Sequence, residues 1–188
     1  MAEPGSRRLF FALWPDEAAL DRLDVLARTG VECCGGRRMR RDTLHVTLAF
    51  LGAVPEARLP VLVEAAGTVV AEPFEAVLDR IGWWPHNHIL WLGCASMPSR
   101  HRRLHDSLVQ ALGSAGFPSE PRAYHPHLTL VRRAQCLSLP PPGPPVRWQA
   151  QEFSLVESRL QGEGARYRVL NRWPLEGKRR GSDCFVIA

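Results

Sequence analysis

Arg7 to Trp14 (RRLFFALW) is apolar from Leu9 onward and has no alternation, the pattern of a strand buried on both faces. Pro15-Asp16-Glu17 then opens a helix with acids in its first turn and Leu20, Leu23 and Leu26 at helical spacing; Gly30 and Gly35-Gly36 are expected to break it. Thr43 to Leu51 (TLHVTLAFL) reads as a strand, and a helix carrying Leu59, Leu62, Val63 and Ala66 follows Pro55. Phe74 to Trp83 and Ile89 to Cys94 read as two strands joined at Pro85-His86-Asn87. Ser99 is expected to cap a helix that presents Leu104, Leu108, Ala111 and Leu112 on one face.

His127 to Val131 reads as a short strand, and Leu139 to Val146 (LPPPGPPV) as a proline-rich loop unfit for a sheet interior. Phe153 to Leu160 and Ala165 to Leu170 form a predicted hairpin turning at Gly162-Glu163-Gly164. Strands alternate with helices, yet several strands are joined by short turns. That mixture predicts an α+β fold with antiparallel pairing and not a doubly wound parallel sheet. Residues 1–175 are expected to form one body and 176–188 a tail, whose Phe185-Val186-Ile187 could dock on that body.

Within this pattern one tetrapeptide recurs: His45-Val46-Thr47-Leu48 and His127-Leu128-Thr129-Leu130. In a strand, residues two apart share a face, about 6.6 Å from each other. Each copy therefore offers a His and a Thr on one face while its apolar residues point into the core. A lone H-x-T says little, but two copies in strand contexts outline a site. A facing pair of imidazoles can supply a base and an acid together near neutral pH. Thr hydroxyls can donate to the oxygens of an anion held between them. In-line displacement at a phosphate diester needs this arrangement, with nucleophile and leaving group on opposite sides of phosphorus. A strained 2′,3′-cyclic phosphate is the easiest such substrate for a site without metal.

These residues resemble the 2H phosphoesterases, most closely the bacterial RNA 2′,3′-cyclic phosphodiesterases, also called 2′-5′ RNA ligases. The blocks that carry the resemblance occur in the family's order: RLFFALWPDE, LHVTLAFLG, GWWPHNHILWLG, HPHLTLVR and SRLQGEGARYRVLNRWPL. The resemblance implies a bilobal, pseudo-twofold α+β fold, with two antiparallel sheets lining a central cleft and helices outside. It implies His45 as proton donor, His127 as proton acceptor, and Thr47 and Thr129 as phosphate ligands. The family also has a basic residue five after the second His, which is Arg132 here; strict strand parity would turn it away from His127 and favour Arg133.

The resemblance implies no metal and no cofactor, and hydrolysis to a 2′-phosphomonoester with 2′-5′ ligation as the reverse reaction. The expected partner is RNA with 2′,3′-cyclic phosphate ends, including tRNA fragments. The alternatives are a small cyclic nucleotide or 2′-5′ oligonucleotide as substrate, or a nucleotide- or RNA-binding module of the same fold.

The chain has 188 residues and a formal charge of +5, and 23 of its 24 basic residues are Arg. Composition bias accounts for most of the arginines, although guanidinium groups suit phosphate. The run Arg37-Arg38-Met39-Arg40-Arg41 leads straight into the first motif strand. Arg40, Arg41, Arg133 and Trp84 are therefore candidate RNA contacts. No stretch has the length and apolarity of a membrane span, and MAEPGSRR lacks the apolar run of a secretory signal. A cytoplasmic monomer is expected, with all five cysteines reduced. His101 and His105 have a metal-ligand spacing, but lack a third ligand and are expected on a solvated helix face.

Overall fold

The computed structural model describes residues 5–117, 123–161 and 164–177. The chain order is β1 (Ser6–Leu13), α1 (Glu17–Cys34), β2 (Arg37–Arg38), β3 (Val46–Pro55), α2 (Leu59–Gly67), β4 (Phe74–Leu78), β5 (Arg80–Trp84), β6 (Ile89–Gly93), α3 (Ser99–Ser114), β7 (His127–Arg132), β8 (Val146–Ala150), β9 (Glu152–Gln161) and β10 (Gly164–Pro174). This is the expected α+β fold with two antiparallel sheets. The larger runs β10-β9-β1-β3-β7-β6-β5, with β2 added on β7; β4 and β8 form the smaller.

The larger sheet has two halves that meet at β3 and β7 through the single pair Val46↔Leu128. Both of these residues are fully buried. The two H-x-T copies therefore lie on adjacent antiparallel strands at the centre of the molecule. On β1, Leu9, Phe11 and Leu13 enter the main core, while Phe10 and Ala12 pack with Val156 on the opposite face. This two-sided burial is why the strand's sequence shows no alternation. Each of these large side chains contributes about 1.5–3 kcal/mol by leaving water. Leu23 and Ala27 of α1, and Leu104, Leu108 and Leu112 of α3, supply the helical side of the same core.

Helix α1 starts as expected, with the Asp16 carboxylate accepting from the Ala19 N–H at 2.8 Å. It does not break at Gly30. That residue is buried inside the helix, and a Cβ there would lie 2.6 Å from Leu90 Cδ2. Close helix–sheet packing requires this glycine. The break comes at Gly35 and Gly36, both at positive φ; a Cβ on Gly36 would meet the Arg132 carbonyl oxygen at 2.6 Å. This close approach lets Arg37 and Arg38 pair with Arg132 and Val131.

Several boundaries differ from the expected ones. The expected strand Phe74–Trp83 is two strands in different sheets. The chain changes sheet at Asp79, whose carboxylate accepts from the Ala95 N–H at 2.7 Å. Helix α3 begins after Pro98 without a side-chain cap, so Ser99 is not its cap. The stretch after the proline-rich loop is a strand, β8, with alternating burial; its VRWQA alternation was readable but overshadowed by the prolines before it. The turn at Gly162-Glu163 and the tail from Lys178, including Phe185-Val186-Ile187, lie outside the described residues.

The expectation of reduced cysteines is corrected. Cys34, at the end of α1, is bonded to Cys136 in the loop after β7, across a sequence separation of 102 residues. The fold brings these segments together, and the Gln135 N–H donates to the Cys34 carbonyl at 2.8 Å. Such a separation carries no spacing signal. Cys33 and Cys94 are free, and Cys184 lies outside the described residues. Among the described residues, no helix is long and apolar enough to cross a membrane.

Candidate active site

A cleft of about 1390 Å³ opens over β3 and β7. His45, Thr47, His127, Thr129 and Arg132 all line it. So do Arg40 and Trp84 among the candidate RNA contacts, whereas Arg41 and Arg133 do not. Arg41 is held on the α1 surface by Glu17 at 2.6 Å and Asp21 at 2.8 Å.

A matched irregularity in the two motif strands sets which side chains face the cleft. The β1–β3 register passes from Phe11↔Ala49 to Ala12↔Thr47, skipping Leu48. The β6–β7 register passes from Leu90↔Val131 to Trp91↔Thr129, skipping Leu130. Each repeat thus bulges at its own leucine, and each bulge reverses the parity of the residues beyond it. Leu130 and Val131 are consecutively buried, and Arg132 then emerges into the cleft. The bulge removes the parity objection to Arg132. Arg133 follows at a φ of 58° and leaves the strand direction. In the first repeat the same offset of five brings Phe50 to the cleft, where the Arg8 guanidinium lies 4.6 Å from its ring centroid.

The two imidazoles are held alike. His45 Nδ1 lies 2.7 Å from the Thr43 carbonyl oxygen, and His127 Nδ1 lies 2.8 Å from that of His125. A carbonyl only accepts, so each Nδ1 carries the hydrogen and each neutral ring keeps its lone pair on Nε2. The Thr47 hydroxyl donates to His45 Nε2 at 3.1 Å. His45 sits among the rings of Phe10, Trp14 and Tyr167, at centroid distances of 4.8, 5.5 and 5.2 Å. Trp84 stands edge-on to His127 at 4.6 Å. Trp91, which packs flat over Gly82 where a Cβ would leave no room, lies behind it at 6.4 Å.

Burial in this aromatic cage pushes His45 down to about 4. The Thr43 carbonyl opposes the shift, and the charges of His127 and Arg132 add to it. Burial also lowers His127, against the pull of the His125 carbonyl. Both imidazoles are therefore neutral at pH 7.

Arg8, Arg37, Arg38, Arg40, Arg132 and Arg166 line the cleft, and none of its described lining residues is an acid. Asp24, 2.8 Å from Arg38, and Asp42, paired with Arg40, lie outside the lining and offset part of this charge; the positive excess that remains attracts a polyanion. Sequence reasoning missed Arg8, Arg166, Phe50 and Tyr167 as cleft residues. Phe50 was findable as the counterpart of Arg132, five after the first His. Arg166 and Tyr167 lie in a hairpin that is far away in sequence, and only the β9–β1 pairing brings it to the site.

His101 and His105 are not on a solvated face. His101 is 2% exposed, and His105 stacks on Tyr124 at 3.8 Å. The aromatic contact explains a spacing that looked like a metal site. Among the described residues, no three His, Cys, Asp or Glu side chains are grouped so as to hold a metal.

The profile of the 2′-5′ RNA ligase superfamily matches residues 15–161. The chain belongs to this superfamily. An RNA 2′,3′-cyclic phosphodiesterase of Escherichia coli is 33% identical over 93% of this chain and 99% of its own length. One of Thermus thermophilus is 32% identical over 91% of each chain. The crystal structure of Escherichia coli LigT complexed with 3′-AMP superposes with a TM-score of 0.82 at 32% identity, covering 90% of this chain and 98% of that one. These likenesses extend over both halves of the sheet, so the 2′-5′ RNA ligase superfamily assignment includes both H-x-T strands.

Proposed function

We propose that this protein hydrolyses 2′,3′-cyclic phosphate ends of RNA to 2′-phosphomonoesters, using two histidines and no metal. The observation that carries the proposal is the matched pair of imidazoles. Each is held through Nδ1 on a main-chain carbonyl, lies on one of two adjacent motif strands with a Thr two residues on, and lines an arginine-walled cleft. The relatives named for this reaction match nearly the whole chain and support the reading.

In the proposed reaction the cyclic phosphate sits between the two strands. Thr47, Thr129 and Arg132 hold its non-bridging oxygens. Water attacks phosphorus in line with the 3′-oxygen, and His127 Nε2 accepts the proton that water loses. The P–O3′ bond breaks and His45 Nε2–H gives its proton to O3′, leaving a 3′-hydroxyl and a 2′-phosphomonoester. Relief of ring strain drives the step forward. 2′-5′ ligation runs in the same direction: a 5′-hydroxyl takes the place of water and loses its proton to His127, His45 protonates the departing O3′, and a 2′-5′ diester forms.

His45 takes up its proton from solvent as the anionic substrate binds. The phosphate's negative charge opposes the burial that depresses His45. Main-chain carbonyls at both Nδ1 atoms fix which nitrogen exchanges protons.

The cleft volume of about 1390 Å³ exceeds the roughly 300–1,000 Å³ of ordinary small-molecule sites. Together with the arginine wall, this favours an oligonucleotide over a small cyclic nucleotide. The same proposal has a monomer acting in the cytoplasm on ends such as those of tRNA fragments, with residues 1–175 as the catalytic body.

The test gives RNA with a 2′,3′-cyclic end to wild type, His45→Ala and His127→Ala in EDTA and identifies the product. Turnover to a 2′-phosphate by wild type alone is expected. Binding without release of a phosphomonoester would make the protein a binding module. Activity that EDTA abolishes and His45→Ala retains would make it a metal-dependent hydrolase.

A further inference from the structure

Tyr124 lies three residues before His127, in the segment that enters β7. Its phenol donates to the main-chain carbonyl of Thr47 on β3 at 3.2 Å. His101 Nε2 lies 3.0 Å from the same phenol oxygen. The phenol's one hydrogen is committed to the carbonyl, so the imidazole must be the donor in the second bond. The chain runs His101 Nε2–H to Tyr124 Oη–H to Thr47 C=O. It begins on α3, passes through the second half of the fold and ends on the first.

The packing around this chain is tight. His105 lies parallel to the Tyr124 ring at 3.8 Å and an interplanar angle of 6°. Phe74 stacks on His101 at 5.1 Å. His101 is 2% exposed, and burial lowers it to about 4, so it stays a neutral donor. Both hydrogen bonds are thus shielded from competing water, where each is harder to replace.

The bond joins the two motif copies close to the reacting groups. Thr47 carries the hydroxyl that touches His45 Nε2. Tyr124 is followed by His125, whose carbonyl holds His127 Nδ1, and by Pro126, which stiffens the connection. Between β3 and β7 themselves there is only the pair Val46↔Leu128. The shared apolar core joins the two halves, but apolar packing does not fix register; the Tyr124 bond adds a directional tie on Thr47 beside that one ladder pair.

We propose that Tyr124 is a positioning residue that clamps the Thr47 strand to the His127 strand and so sets the separation of the two imidazoles across the phosphate. The proposal rests on the two-histidine reading above. The clamp touches no substrate. It acts on the alignment of base, phosphorus and acid, where an error near 1 Å costs up to about a hundredfold in rate.

The experiment measures kcat and KM on RNA with a 2′,3′-cyclic end for wild type, Tyr124→Phe, His101→Leu and the Tyr124→Phe/His101→Leu double variant. Tyr124→Phe is expected to lose about tenfold in kcat with KM within twofold, because the arginines that bind the RNA are untouched. It also strands the His101 donor and loses stability. The double variant removes that stranded donor and recovers melting temperature, while its kcat stays low. His101→Leu keeps the bond to Thr47 and is expected to keep kcat within twofold.

A double variant with wild-type kcat overturns the clamp, and it decides the matter even where Tyr124→Phe folds poorly. Loss of kcat in His101→Leu alone also overturns it. A wild type that binds the RNA without turnover overturns the two-histidine reading and the clamp with it. Turnover with an unimpaired double variant overturns the clamp alone.

Discussion

The Cys34–Cys136 bond closes a loop with a sequence separation of 102 residues. In the chain-entropy account, a cross-link over that span removes about 4.7 kcal/mol of conformational freedom from the unfolded state at 25 °C. The folded state has little to lose when the bond opens, because neighbouring main-chain ties remain. The Gln135 N–H donates to the Cys34 carbonyl at 2.8 Å, and the Ala134 N–H to the His88 carbonyl at 2.9 Å. Arg37 and Arg38 still pair with Arg132 and Val131. A reduced Cys34 thiol also has the Ser138 carbonyl within reach at 3.8 Å.

Reduction is therefore expected to lower unfolding free energy by roughly 3–5 kcal/mol and the melting temperature by roughly 6–20 °C. Activity should change little, because the sulfurs are not among the cleft-lining residues. The assay is urea denaturation of oxidised and reduced protein, with Cys34→Ala/Cys136→Ala as a third sample and thiol titration to verify each state. Superimposable oxidised and reduced curves would show that the bond contributes nothing to stability. A large fall in kcat with unchanged stability would refute it differently, by showing that the bond acts on the native site.

Further outcomes test the site. Since burial holds His45 near 4 and His127 below its ordinary value in the free protein, kcat/KM should peak below pH 6.5. The bound phosphate raises both groups, so the kcat profile should lie to higher pH, its apparent constants belonging to the pair; coincident profiles would contradict this. Arg132→Gln is expected to lower kcat/KM at least tenfold and Arg133→Gln less than twofold, since only Arg132 lines the cleft; steady-state kinetics on cyclic-ended RNA decides. KM should rise with salt more steeply than kcat falls, and Arg37→Gln/Arg38→Gln should flatten the slope, whereas a salt-independent KM would return the arginines to composition bias. His101 is buried and neutral in the fold but protonates at 6.5 when unfolded. Stability should thus fall as pH drops from 6.5 towards 4, by on the order of 3 kcal/mol from this residue, and His101→Leu should flatten that part of a melting-temperature series.

Local pattern was enough for the element types along most of the chain, because burial sets periodicity: β1 is apolar on both faces and α1 and α3 carry leucines at helical spacing. It also determined the pair of H-x-T strands, since a strand projects residues two apart onto one face whatever surrounds it. It did not reach the details that depend on distant neighbours. Whether Arg132 or Arg133 enters the cleft turned on a bulge at Leu130, which exists only relative to the β6 register. Gly30 looked like a helix breaker until Leu90 occupied the space of its missing Cβ. The aromatic cage that lowers His45 combines Phe10 and Trp14 with Tyr167, brought in by a hairpin more than a hundred residues later. His101 and His105 looked like solvated ligands because helical spacing records which residues share a face, not what covers it; Tyr124 covers them. Cys34 and Cys136 were likewise separate residues until α1 and the loop after β7 met. Local pattern fixes what each segment offers, and only tertiary packing decides which offers meet, because contact, desolvation and register are properties of pairs of segments.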